Sequence, residues 1–402
     1  MSNTQKKNVP ELRFPGFEGE YSLDIFGNLA TNKSDKFNPQ NENASIDIEL
    51  DCIEQNTGRL IKIYNSKEFS SQKNKFNPQN VLYGKLRPYL NKYYFTKKSG
   101  VCSSEIWVLK STKEDKLLNL FLYYFIQTKR YSDVASKSAG SKMPRADWGL
   151  IENIRVYFPE LCEQQKIGEF FSKLDRQIEL EEQKLELLQQ QKKCYMQKIF
   201  SQELRFKDDN GNDYPEWEEK KLGELSQIVR GASPRSIKDP KWFNKESDIG
   251  WLRISDVTDQ NGKIYHLEQK LSIEGQEKTR VLLTTHLLLS IAASIGKPVM
   301  NFVKTGVHDG FLIFLNPKFN IFFMYYWLDY FKEKWSKYGQ PGSQVNLNSE
   351  IVKSQTLNMP SNHEQEKVGL FFSRNEKLIE LQQEKIMYLK RRKQALILKM
   401  FI

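Results

Sequence analysis

Cysteine and histidine are scarce, four of each in 402 residues. Cys52, Cys102, Cys162 and Cys194 stand singly, without Cys-x-x-Cys spacing, and His266, His286, His308 and His363 show no ligand spacing. That argues against a disulfide framework or a zinc site and points to a reduced, cytoplasmic setting. No apolar run approaches the length of a membrane span, and the opening Met1–Pro10 has no signal-peptide pattern, so no membrane role is expected. Catalytic signatures are missing as well. Gly296-Lys297 is followed by Pro298 and lacks the upstream glycine of a phosphate loop. Asn316-Pro317-Lys318-Phe319 lacks the second proline of an Asn-Pro-Pro-aromatic methylation loop. Glu182-Gln183-Lys184 has the Glu-x-Lys spacing of some metal nucleases, but it falls within a helical stretch, where a solvated face explains it. No catalytic residue and no metal are expected.

Positive charge is what the chain has in excess. Lys and Arg number 61 against 50 Asp and Glu, a net +11. Such a balance favours a polyanionic partner. With 39% hydrophobic and 28% charged residues, the chain has the composition of a globular protein with room for two or three cores.

The sequence also repeats itself. Setting Pro159–Phe200 against Pro360–Phe401 aligns Glu163 with Glu364, Gln164 with Gln365, Lys166 with Lys367, Gly168 with Gly369, Phe171 with Phe372 and Ser172 with Ser373. Two copies of one unit follow. Within each copy a seam steps by alternating fours and threes, apolar at Ile167, Phe171, Leu174, Ile178, Leu185 and Leu188, then at Val368, Phe372, Ile379, Ile386 and Leu389. This is the seam of a coiled coil, polar at Glu181/Gln382 and Lys192/Lys393, and polar seam positions fix register and partner. If two first helices paired antiparallel, Glu181 could lie opposite Lys192. An echo, Glu11-Leu12-Arg13-Phe14 and Glu203-Leu204-Arg205-Phe206, opens each copy. The expected order is a first globular domain over 1–158, a long helix over 159–203, a second domain over 204–358 and a second helix over 359–402.

Both globular domains read as short strands broken by Gly, Pro and Asn. Val81–Tyr83, Tyr93–Phe95 and Ile106–Leu109 are strand candidates in the first, with one helix over Leu117–Tyr131. The second offers Gly250–Ile254, Leu287–Ala292 and Phe311–Leu315, with a helix over Ile321–Tyr338. Lys36–Asn41 and Lys75–Asn80 both spell Lys-Phe-Asn-Pro-Gln-Asn, for no reason visible in the sequence.

Two patterns have the composition of a nucleic-acid face. From Phe69 to Ser104 there is no acidic residue, while Lys85, Arg87 and Lys92 interleave with Tyr83, Tyr89 and Tyr93. Lysines neutralise phosphates and tyrosines add contact area. A solvated strand edge that discourages pairing would look similar. Before each long helix comes a polar Gly-containing loop with Ser141, Lys142 and Arg145 in the first copy and Gln340, Ser343, Gln344 and Asn346 in the second. Lys, Arg, Gln and Asn are the side chains that read base edges. Arg230, Arg235 and Lys297 complete the candidates in the second domain.

The paired Glu-Gln-x-Lys-Ile/Val-Gly-x-Phe-Phe starts, Glu11–Phe17 and the Tyr-Gly-Lys-Leu-Arg-Pro-Tyr-Leu segment at 83–90 together resemble the specificity subunit of type I restriction–modification enzymes. The resemblance covers essentially the whole chain. It implies a mixed α/β fold, two α+β target recognition domains joined by two long helices in an antiparallel coiled coil with internal pseudo-two-fold symmetry. It implies double-stranded DNA as ligand, each domain reading half of a gapped site. Two methyltransferase subunits and restriction/translocase subunits would be the partners, with S-adenosylmethionine, ATP and magnesium on those subunits and none on this chain. A scaffold whose coiled coil binds proteins without DNA readout is the alternative, and a self-sufficient nuclease is a third reading.

Overall fold

The computed structural model describes residues 8–42, 44, 46–68, 71–137, 143–292, 295–338 and 347–402. The chain gathers into two units, Met1–Glu182 with Glu384–Ile402, and Gln183–Gln383.

Both repeated segments form single helices, Leu161–Phe200 and Asn362–Met400. No proline interrupts either, and the apolar stripe supplies the burial that such long helices need. Ile167, Phe171, Leu174, Ile178, Val368, Phe372, Ile386 and Leu389 are buried, while Leu185, Leu188 and Ile379 are half-buried. No described helix is long and apolar enough to cross a membrane.

In the first unit an antiparallel ribbon, Ser22–Ile25 with Arg155–Phe158, brings together the two ends of the globular part. Beyond it lie two four-stranded sheets. One is antiparallel in the order Ala30–Thr31, Ile106–Ser111, Val81–Gly84, Tyr93–Phe95. The other runs Lys36–Phe37, Lys73–Phe76, Gly100–Ser103, Asp47–Ile48, the last pair parallel. The repeated hexapeptide now has a physical account. Each Lys-Phe lies in a strand, the two strands pair antiparallel, and each Asn-Pro-Gln-Asn turns the chain out of its strand. Side-chain oxygens of Asn38 and Asn80 accept backbone hydrogen bonds that fix those turns. The helix expected over Leu117–Tyr131 is instead two, Asn119–Phe125 and Lys129–Ala135. Thr128 adopts extended backbone and its hydroxyl caps the second at Tyr131 N, so capping overrides the apolar periodicity.

The second unit repeats the plan with different strands. Glu218–Lys221 pairs with Thr356–Met359 as Ser22–Ile25 pairs with Arg155–Phe158. A five-stranded sheet runs Gln227–Arg230, Phe311–Leu315, Leu287–Ser290, Pro298–Asn301, Lys263–Ile264, beside a three-stranded one, Gly250–Leu252, Thr305–Val307, Arg280–Leu282. The last turns of the helix expected to Tyr338 tighten to 3₁₀ over Lys332–Tyr338, after α-helix over Ile321–Phe331.

Four residue pairs of the repeated helix start have matched tasks in both units. Glu163 is almost fully buried and accepts from Arg13 Nε and Nη2 at 2.8 and 2.7 Å, with Tyr21 OH at 3.2 Å. Glu364 accepts from Arg205 at 3.3 and 2.9 Å and from Trp217 Nε1 at 3.0 Å. Gln164 accepts from Leu118 N and donates to Pro159 O, as Gln365 accepts from Asn320 N and donates to Pro360 O. Gly168 and Gly369 admit the neighbouring helix: an added Cβ would sit 2.6 Å from Leu120 and 3.1 Å from Phe322. Ser172 and Ser373 meet the hydroxyls of Tyr124 and Tyr326. The Glu-Leu-Arg-Phe echoes are explained too. Leu204 N donates to Lys198 O near the end of the first helix, and Leu12 N donates to Lys399 O near the end of the second.

The seam lysines each find an acid. Lys393 lies 2.6 Å from Asp175 in the first unit, and Lys192 lies 3.5 Å from Glu376 in the second. Glu376 also accepts from Lys263 at 2.5 Å and from Tyr326 OH at 2.7 Å. Burial pushes the Glu376 carboxyl up, but Lys192 and Lys263 outweigh it, and the net is a lowered pKa. A depressed carboxylate contributes stability above its unfolded value, about 4.3, that is lost as pH falls through the folded value. The second unit is therefore expected to lose thermal stability below about pH 4 more steeply than a Glu376→Gln variant does. Parallel acid melting curves for the two proteins would contradict this.

Candidate nucleic-acid interface

In the first unit the structure joins the basic segment to the end of the polar loop. Strand Val81–Gly84 leads into Lys85–Asn91, which turns through left-handed backbone at Arg87 and Asn91 before strand Tyr93–Phe95. Against this turn runs Pro144–Ala146. Arg87 N donates to Pro144 O and Ala146 N to Lys85 O, both at 2.8 Å, and Leu86 bridges Arg145. Lys85, Arg87, Tyr89 and Arg145 thus share one loop cluster. Arg87 and Tyr89 are exposed and Lys85 is half-buried. Neither Lys85 nor Arg87 has an ion-pair partner among the described residues. Arg145 pairs with Glu105 at 3.0 Å, which raises its pKa through that hydrogen bond. Lys92 is placed differently: its ammonium donates to Leu50 O at 2.6 Å. Elsewhere in the segment Lys73 is wholly buried between Asp47 and Glu49. The buried Lys73 therefore faces no solvent.

In the second unit Arg230 is exposed at the end of its strand and donates from Nε to Asp309 O at 2.6 Å. Arg235 is exposed, without an ion-pair partner among the described residues. Gly231 lets this segment lie on the backbone of His308, only 2.1 Å from where a Cβ would stand. Lys297 turns inward and donates to Val257 O at 3.2 Å. Burial lowers its pKa and Lys332 lowers it further. Ser141, Lys142, Gln340, Ser343, Gln344 and Asn346 lie outside the described residues.

Sequence reasoning singled out Arg230 and Arg235 but missed the rest of their segment. Between Arg230 and Lys245 the chain carries Arg235, Lys238 and Lys241 against the single acid Asp239, with Trp242 and Phe243 interleaved. It is the same mixture that drew attention to residues 69–104.

The type I restriction modification DNA specificity domain matches the chain twice, over residues 20–190 and 214–391. The MjaVIII type I restriction enzyme specificity subunit of Methanocaldococcus jannaschii is 26% identical over 310 residues, 72% of this chain and 71% of its own. The EcoDI specificity subunit of Escherichia coli is 25% identical over 169 residues, 40% of this chain and 37% of that one. Among solved structures, one from work on complex assembly and conformational transition of a type I R-M system superposes with TM-score 0.62. It covers 94% of this chain and 96% of that one at 17% identity. The S subunit of the type I system of M. genitalium gives 0.58, covering 98% and 99% at 14% identity. Duplicated model match and shared fold lead to one statement: this chain belongs to the type I restriction–modification DNA specificity family.

Proposed function

We propose that this chain is the non-catalytic DNA-reading subunit of a type I restriction–modification complex, in which each globular domain reads one half of a gapped site in double-stranded DNA. Family membership carries the reading, and the cationic loop clusters support it. The long helices act as an antiparallel coiled coil between the two readers, related by internal pseudo-two-fold symmetry. In support, Lys393 with Asp175 and Lys192 with Glu376 are the same contact read in opposite directions. S-adenosylmethionine, ATP and magnesium belong to the partner subunits, and the complex works in the cytoplasm.

The seam residues are occupied within the fold, so methyltransferase docking uses another face. Leu180 and Leu187 on the first helix, and Leu381 and Tyr388 on the second, are exposed at matched positions one heptad apart. Helices of two methyltransferase subunits would cover them, and restriction/translocase subunits would join through those. A pure scaffold would dock proteins equally well but would not discriminate between DNA sites. A gel-shift assay with the chain plus its methyltransferase subunit tests this: one site is retained against excess unrelated DNA. Equal competition by any duplex would overturn the reading.

Charge enters separately from sequence. Neutralising Lys85 or Arg87 is expected to weaken binding to all sequences alike and to lower the slope of log affinity against log salt by about one per lost phosphate contact. Unchanged slopes in both variants would remove these residues from the interface.

A further inference from the structure

The second unit holds a cavity of about 820 Å³ beside the Arg230–Lys245 segment. Ile237, Phe243 and Trp251 line its wall, and Lys238, Lys245 and Lys270 stand around it. None of those three lysines has an ion-pair partner among the described residues. Trp251 is held by its place in a strand and lies edge-on to His308, ring centroids 5.5 Å apart. An apolar wall suits a planar ring, and unpaired ammonium groups suit a phosphate; single-stranded nucleic acid is gripped by this combination. The volume falls within the range of small-ligand pockets.

We propose that this cavity takes one nucleotide, lifted out of the stack of the bound duplex, with its ring against Phe243 and its phosphates on Lys238 and Lys245. The inference rests on the DNA-reading function and adds a pocket to it. Arg235 precedes the lining residue Ile237 by two positions, and Arg230 donates to Asp309 O beside the lining His308. Lifting a base costs unstacking energy that varies with sequence, and the pocket would therefore add selectivity in the half-site read by the second domain.

The test uses the complex of the full chain with its methyltransferase subunit, on the duplex whose site methylation mapping has defined. 2-Aminopurine is placed at each position in turn, apart from the base being modified. Its fluorescence should rise several-fold at one position of the second domain's half-site. Lys238→Ala/Lys245→Ala, two exposed positions, should abolish that rise and weaken binding about tenfold or more, as should Phe243→Ala. Selective binding with no fluorescent position, or a rise unchanged in both variants, would overturn the pocket and leave DNA reading intact. Loss of all site preference would instead overturn the reading itself. Saturable binding of free deoxynucleoside monophosphates, with the fluorescence of bound duplex unaltered by the variants, would assign the cavity to a small molecule and overturn the proposal.

Discussion

Arg205→Ala is expected to destabilise the second unit by about 3–5 kcal/mol, the cost of leaving a buried carboxylate without its cation. Glu364 is fully buried, and Arg205 supplies its charge and two of its hydrogen bonds, leaving Trp217 Nε1 as its donor among the described residues when removed. The same guanidinium also donates to Tyr214 O and Pro215 O, so the entry segment loses its anchor as well. Replacing the carboxylate too should recover much of the loss, since exchanging both members of a buried pair for apolar groups is often neutral. Arg205→Leu/Glu364→Leu is thus expected to unfold at higher denaturant than Arg205→Ala alone. Arg13→Ala should act alike on the first unit, where Glu163 keeps Tyr21 OH as its side-chain donor among the described residues. Denaturant melts of the three variants decide it: a loss below about 1 kcal/mol in the single variants would mean the carboxylates are rehydrated or protonated without penalty.

A fragment ending at Phe206 is expected to dimerise. In the first unit the helix over residues 161–182 packs against residues 384–402, and in the fragment a second copy's residues 183–201 would take that place. The repeat supplies a replacement for each main contact. Lys192 stands where Lys393 meets Asp175, Lys184 where Lys385 meets Glu181, and Phe200 where Phe401 packs on Phe121 and Phe171. The pairing anticipated from sequence, Glu181 with Lys192, is therefore replaced by Asp175 with Lys192. Without a partner, Ile167, Phe171, Leu174 and Ile178 would form an exposed stripe, which is self-complementary under a two-fold operator. Truncating one member of such a charge pair costs about 2–5 kcal/mol, and symmetry applies that cost twice. Lys192→Ala should accordingly raise the dimer dissociation constant at least a hundredfold. Sedimentation at tens of micromolar tests both statements; a monomeric fragment, or a variant as dimeric as the parent, would contradict them.

The frame was legible because it is repetitive. A heptad stripe in a segment without proline declares a long helix, and a second copy declares a duplicated plan. The tasks of Glu163, Gln164 and Ser172 were not legible, because their partners Arg13, Leu118 and Tyr124 are distant in sequence and only folding brings them near. The break at Thr128 was missed since its cap competes with an apolar period that runs on through Tyr131. On the proposed DNA face, composition marked Lys85–Tyr89 and Arg145 separately, and pairing with Pro144–Ala146 unites them. Composition could not reveal that Lys73 is neutralised internally, that Lys92 caps a carbonyl, or that Lys297 turns inward. A basic run scores every lysine alike, whatever its partner.

Methylation-sensitive sequencing of a genome carrying the intact system, compared with one in which residues 207–358 are replaced by the corresponding part of another family member, asks whether each globular domain specifies its own half of the site. A single two-part gapped motif is expected in the first genome, and in the second a motif that keeps one half and exchanges the other. An unchanged motif, or methylation that persists when this chain is deleted, would contradict that expectation.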